Sequence, residues 1–104
     1  MSIGALFEAD GFTQQQYDAV LERVQESLGG AGPEGCLIHI AGPTERGWRV
    51  IEVWESEDAQ RRFQEDLLDP AFESAGAPRV TPASFPVHMI LPPAEALAGI
   101  EPPV

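Results

Sequence analysis

Within Gly35–Trp54, GCLIHIAGPTERGWRVIEVW, lie the side chains best suited to chemistry: His39, Trp48, Glu52 and Trp54. An imidazole titrates near ~6.5 when unperturbed, which suits a general base taking a proton from a phenol or an activated methylene. Glu52 is then the natural group to orient His39 or to share its proton, so His39 and Glu52 form the candidate catalytic pair. The plainer reading of both is structural, a strand histidine bonded to a carboxylate or backbone with no catalytic duty. Trp48 and Trp54 combine large apolar faces with an indole donor and would wall a pocket for a flat aromatic ligand; the plainer reading is core. Tyr17 and Phe63 would close the same space from two helices, although packing alone also explains their spacing.

These residues must be held by strands. Gly42, Pro43 and Gly47 bracket the polar Thr44-Glu45-Arg46 between two runs rich in β-branched and aromatic residues, the signature of a hairpin. Because side chains alternate across a strand, Leu37, His39 and Ala41 leave one side and Cys36, Ile38 and Ile40 the other. With Gly42 opposite Gly47, His39 falls opposite Val50, and Glu52 lies two positions further along on the same face with Trp48 and Trp54. The second face is then aliphatic apart from Arg49 and Cys36, which makes Cys36 a buried, inert thiol.

Ser2 to Glu8 is long enough for a first strand. Thr13 and Gln16 match a capping box ahead of a helix whose inner stripe is Tyr17, Val20, Leu21, Val24 and Leu28, ending at Gly29-Gly30. After the hairpin, Ser56 caps a second helix with Ala59, Phe63 and Leu67 on its inner side. Asp69-Pro70 is expected to interrupt it, with Asp69 capping a short further turn that Gly76 closes. Thr81 to Leu91, containing Pro82 and Pro86, reads as a last strand at an edge position or with a bulge. Residues 1–91 thus form one domain, and residues 92–104, with four prolines, form a C-terminal tail outside the core.

The order strand, helix, strand, strand, helix, strand with right-handed crossovers predicts a ferredoxin-like βαββαβ domain of the α+β class, an antiparallel sheet with both helices on one face. Periodicity alone does not assign which face meets the helices. Both faces of the hairpin are largely apolar, and a four-stranded sheet that left Ile38, Ile40, Ile51 and Val53 in water would expose an interface-sized patch, so a homodimer is expected. In this strand order the second and fourth strands occupy opposite edges, ~14 Å apart, which rules out a metal shared by His39 and His88 within one subunit.

Composition narrows the partners. The 104 residues include seventeen acids, six arginines and no lysine, a formal net charge of -11. Nucleic acid would be repelled, and no basic amphipathic helix suggests membrane binding. No apolar run approaches ~18 residues, and the N-terminus lacks the basic opening of a signal peptide. A single cysteine excludes an internal disulfide and is the usage expected in a reducing cytoplasm. No glycine-rich phosphate loop, serine elbow or paired-cysteine metal motif is present.

Val50-Ile51-Glu52-Val53-Trp54-Glu55-Ser56 leading into Asp58-Ala59, and Asp69-Pro70-Ala71-Phe72 after the second helix, resemble the dimeric α+β barrel superfamily, in particular proteins like the antibiotic biosynthesis monooxygenases. The resemblance covers roughly residues 2–91. It implies a dimeric barrel and a small enzyme of secondary metabolism, a cofactor-independent monooxygenase or cyclase acting on an aromatic or polyketide-like molecule by acid-base chemistry. Phe63 stands where the family often has a histidine, and the chain has no asparagine, so the asparagine, tryptophan and histidine of haem-degrading members are not reproduced. A non-catalytic small-molecule binding protein and a structural dimerisation partner remain the alternatives. An enzyme or binder requires a cavity beside His39, Glu52 and the tryptophans; a purely structural dimer would have that space filled.

Overall fold

A computed structural model describes residues 1–91 of the chain; the expected tail at 92–104 lies outside the described residues. The elements are β1 (Ile3–Asp10), α1 (Gln14–Leu28), β2 (Cys36–Pro43), β3 (Gly47–Trp54), α2 (Glu57–Phe63), a π-helical turn (Gln64–Leu68), α3 (Asp69–Ala75) and β4 (Ala83–Pro86). They build one antiparallel sheet in the order β2-β3-β1-β4, the ferredoxin-like α+β arrangement, with β2 and β4 at opposite edges.

The local signals act as chemistry requires. Thr13 Oγ1 accepts from the Gln16 backbone N–H, and the Gln16 side chain accepts from the Thr13 N–H, satisfying two donors that the first turn of α1 leaves open. Gly29 closes α1 in the left-handed conformation at φ 62, and Ser56 caps α2 by accepting from the Ala59 N–H.

The hairpin departs from the expected register by two residues. His39 pairs with Glu52 rather than Val50, Ile40 with Ile51 and Pro43 with Trp48. The turn is the reason: Thr44 N–H donates to Gly47 O and Gly47 N–H to Thr44 Oγ1, each at 2.9 Å, so the strands run on to Pro43 and Gly47. A slip of two keeps every side chain on its face, and one effect is to set Glu52 directly beside His39. Gly47 is needed where β3 meets the end of β1, because a Cβ there would sit 2.0 Å from the Ala9 carbonyl oxygen.

Cys36 is corrected to the opposite face. Pairing passes from Ile38 with Val53 to Cys36 with Trp54, leaving Leu37 as the extra residue of a bulge that turns Cys36 toward the same side as His39. Asp69-Pro70 likewise does not interrupt the second helical region. Phe63, Gln64, Leu68 and Asp69 all keep right-handed helical backbone, and Asp69 N–H bonds the Gln64 carbonyl five residues back. Proline has no N–H and its ring crowds the carbonyl four residues earlier; the widened turn opens the backbone at that point instead of breaking it. The last strand is also shorter than Thr81–Leu91. Pro82 and Pro86 bracket Ala83–Pro86, since neither can donate to the ladder with β1.

The helices cover the face carrying Ala5, Phe7, Trp48, Glu52 and Trp54. The core there joins Ala5, Phe7 and Trp54 to Val20 and Val24 of α1, Ala59 and Phe63 of α2, and Ala71 and Phe72 of α3. Phe12 meets Phe72 edge-on with centroids 6.3 Å apart. On the other face Ile38, Ile40, Ile51 and Val53 are covered by no helix among the described residues, and Ile40 is 58% exposed. Phe85 of β4 extends this apolar surface by laying its ring over Gly4, where a Cβ would approach its Cζ to 2.2 Å.

Candidate functional site

Glu52 occupies the centre of the sheet, between Ala5 on β1 and His39 on β2, and is 3% exposed. The small Ala5 leaves room for its carboxylate, and the alternation of β3 places Trp54 on the same face two residues on. The carboxylate accepts from two sides: His39 Nδ1 lies 2.8 Å from Oε2, and Trp54 Nε1 donates to Oε1 at 3.1 Å. On the far side of the imidazole, Nε2 is 2.7 Å from the hydroxyl of Tyr17 on α1.

Donor and acceptor roles along this row follow from its ends. An indole N–H can only donate, and a carboxylate accepts. In the neutral imidazole His39 then carries its proton on Nδ1, leaving the Nε2 lone pair to receive the Tyr17 O–H. Burial, then the negative charges of Glu52 and Asp18, raises the Tyr17 pKa, which keeps the phenol protonated and able to donate. The row Tyr17, His39, Glu52, Trp54 is thus oriented end to end, and it pins one imidazole tautomer. His39 keeps 37% of its side chain exposed while Glu52 keeps 4%, so the base is reachable and its partner is not.

The row borders a cavity of about 480 Å³ between helices and sheet, within the size range of small-molecule sites. Tyr17, His39, Trp48, Glu52 and Phe63 line it, and most of the remaining wall is apolar. Tyr17 packs against Trp48 with ring centroids 5.2 Å apart and planes tilted by 35°. Trp48 Nε1 is buried and has no hydrogen-bond partner among the described residues. Trp54 does not line the space: it is completely buried, packs on Phe63 at 4.9 Å and holds Glu52 from behind.

Of the residues singled out from sequence, five meet at the cavity, and Trp54 supports them one layer deeper. Helical spacing sets Tyr17 on the inner face of α1 as a wall of this space but names no partner for its hydroxyl; that position and its being the sole tyrosine are the available signals. The expected ladder offset hid how directly Glu52 engages His39. Cys36 also lines the cavity, where burial and the Glu52 charge push its thiol up to about 11, so it is a poor nucleophile. Among the described residues no group of three histidine, cysteine, aspartate or glutamate side chains is placed to hold a metal, and no helix is long and apolar enough to cross a membrane.

Sheet order and helix placement define a ferredoxin-like fold, one shared with solved antibiotic biosynthesis monooxygenase-like proteins. Solved structures align over most of the chain. One, from Chloroflexus aurantiacus J-10-fl, carries the name antibiotic biosynthesis monooxygenase; it matches with a TM-score of 0.56 and 18% identity over 86% of this chain and 97% of its own. SnoaB, a cofactor-independent oxygenase from Streptomyces nogalater, matches with a TM-score of 0.55 and 18% identity over 88% of this chain and 95% of its own. A mutant of SnoaB gives 0.57 and 17% over the same shares. At these identities the likeness is one of fold. No family model and no curated protein matches the sequence.

Proposed function

We propose that this protein is a cofactor-independent enzyme that removes a proton from an aromatic or polyketide-like small molecule and so opens it to oxygenation or cyclisation. The observation that carries the reading is the oriented row Tyr17, His39, Glu52 set into the wall of an otherwise apolar cavity. His39 is the base. The ligand proton reaches Nε2 either directly, with the Tyr17 hydroxyl moved aside, or through Tyr17, whose own proton passes to Nε2 as the ligand's arrives on Oη. Glu52 holds the imidazole in the tautomer that presents Nε2 and stabilises the imidazolium once formed. In the oxygenase case the resulting carbanion reacts with dioxygen. A methylene becomes a carbonyl, and the second oxygen atom leaves as water with the two hydrogens. In the cyclase case the same carbanion attacks a carbonyl carbon of the chain, and the proton returns to the new alkoxide.

The reading puts the protein in secondary metabolism, as a homodimer that buries Ile38, Ile40, Ile51 and Val53. An open cavity also argues against a purely structural role, which would fill the space, while a non-catalytic binder would use the same walls without turnover. Oxygen uptake with dithranol, a tricyclic phenol with an acidic methylene, tests the proposal. The parent should exceed the uncatalysed rate, and His39→Ala should lose ~10² to 10⁴ of that advantage. Saturable binding of dithranol with no turnover would favour the binder.

A further inference from the structure

The cavity has no surplus positive charge. The chain contains no lysine, and its six arginines, Arg23, Arg46, Arg49, Arg61, Arg62 and Arg79, all fall among the described residues and away from the cavity wall. Most are engaged elsewhere: Arg23 donates to Ser74, Arg49 pairs with Glu8, Arg61 and Arg62 pair with Asp58, and Arg79 lies 3.8 Å from Asp69. Among the described residues the ionisable groups on the wall are Tyr17, Cys36, His39 and Glu52. The first two are neutral when protonated, and any charge on His39 is balanced by the Glu52 carboxylate bonded to it. Leu28 and Gly30, at the C-terminal end of α1, also line the space, and that end of a helix carries the negative pole of its dipole. An anion entering here would lose hydration and meet a negative field with no counter-charge.

We infer that the site selects an uncharged hydroxyaromatic or enolisable ketone and rejects ligands carrying a free carboxylate. The inference rests on the proton-abstraction reading and narrows its substrate class. Recognition is then by shape, by aromatic contact with Tyr17, Trp48 and Phe63, and by one acidic O–H or C–H directed at the Tyr17 and His39 end. The step that supplies such a ligand must remove or mask the carboxyl terminus that a polyketide chain bears on release, by decarboxylation or by esterification.

Rhein, a tricyclic phenol with one carboxylate, and its methyl ester differ little in shape and by one charge near neutral pH. Isothermal titration calorimetry on the full chain should show the ester binding at least ~100-fold more tightly, a modest bound on what an unpaired buried charge costs. Leu21→Arg, which adds a cation to the wall, should shrink that ratio, and Leu21→Met should not. Equal affinities in the parent, a preference for the acid, or a ratio unmoved by Leu21→Arg overturns charge selection while leaving the acid-base reading in place. Binding of neither compound up to its solubility limit overturns both.

Discussion

His39 and Glu52 stand directly opposite each other across the β2–β3 ladder, with Nδ1 and Oε2 2.8 Å apart. Because β2 is an edge strand and β3 an interior one, the pair joins a reachable base to a buried anion. The second acceptor oxygen of Glu52 is taken by Trp54, so the carboxylate serves two donors at once.

Glu52→Gln exploits that double demand. An amide has one acceptor oxygen, and Trp54 has no alternative to donating, so the amide nitrogen must face His39 Nδ1 and drive the proton to Nε2. The base then points the wrong way. Turnover should fall by ~10² to 10⁴, with stability lowered by about 1 to 3 kcal/mol for the weakened buried bonds. Nitrogen chemical shifts of His39 would report the tautomer directly, and urea melts the stability; an unchanged tautomer with full loss of turnover would remove this explanation.

The two tryptophans should respond differently to loss of their indole donors. Trp54→Phe deprives a buried carboxylate of a partner and should cost about 1 to 3 kcal/mol. Trp48→Phe removes a buried donor that has no partner among the described residues and should be close to neutral or mildly stabilising. Denaturant midpoints of the two variants side by side decide the matter, and equal losses would contradict the assignment.

Alkaline pH should weaken the fold through Cys36 and Tyr17. The thiol is raised from 9.0 to about 11, chiefly by burial, and the Tyr17 phenol is raised from 10.0. Between those limits the unfolded chain has released protons that the folded chain retains, so raising pH favours unfolding. These groups contribute no pH dependence well below pH 9.0, a decline begins near there as the unfolded thiol titrates, and Tyr17 extends it from about 10.0 upward. Denaturation at a series of alkaline pH values should show the decline, with its lower part flattened in Cys36→Ala.

The open sheet face leads to a prediction about assembly. Sedimentation equilibrium at low micromolar concentration should give about twice the 11.2 kDa chain mass. Ile40 is already 58% exposed in the single chain, so Ile40→Glu should leave the monomer folded and abolish the dimer. A parent that sediments as a folded monomer would remove the barrel.

Local signals in the sequence were legible where one residue type has one physical use. Thr13 with Gln16, Ser56 before Ala59, and Gly29 after Leu28 all act as their chemistry suggests, and the alternation of β2 and β3 correctly gathers His39, Trp48, Glu52 and Trp54 on one face. What was not legible depends on contacts distant in the chain. Which residues close the hairpin rests on the Thr44 hydroxyl reaching Gly47, and the bulge at Leu37 has no composition of its own. The Tyr17 bond to His39 requires the azimuth of α1 over the sheet, which helical spacing leaves free. Pro70 looked like a helix stop because its usual effect is steric; the π turn absorbs the clash.

That π turn has a consequence for how the length of this chain can vary. It holds one residue more than an α-helix needs between the same two faces, so the phases of Phe63 and Phe72 already include a spare position. Elsewhere in the helices, losing a residue would swing everything downstream by about 100° around the axis. Within Gln64–Leu68, a one-residue deletion made together with Pro70→Ala would relax to a plain α-helix with Phe63 and Phe72 still facing the sheet. Length differences among homologues should therefore collect at this turn, while α1, with no such slack, should hold its length.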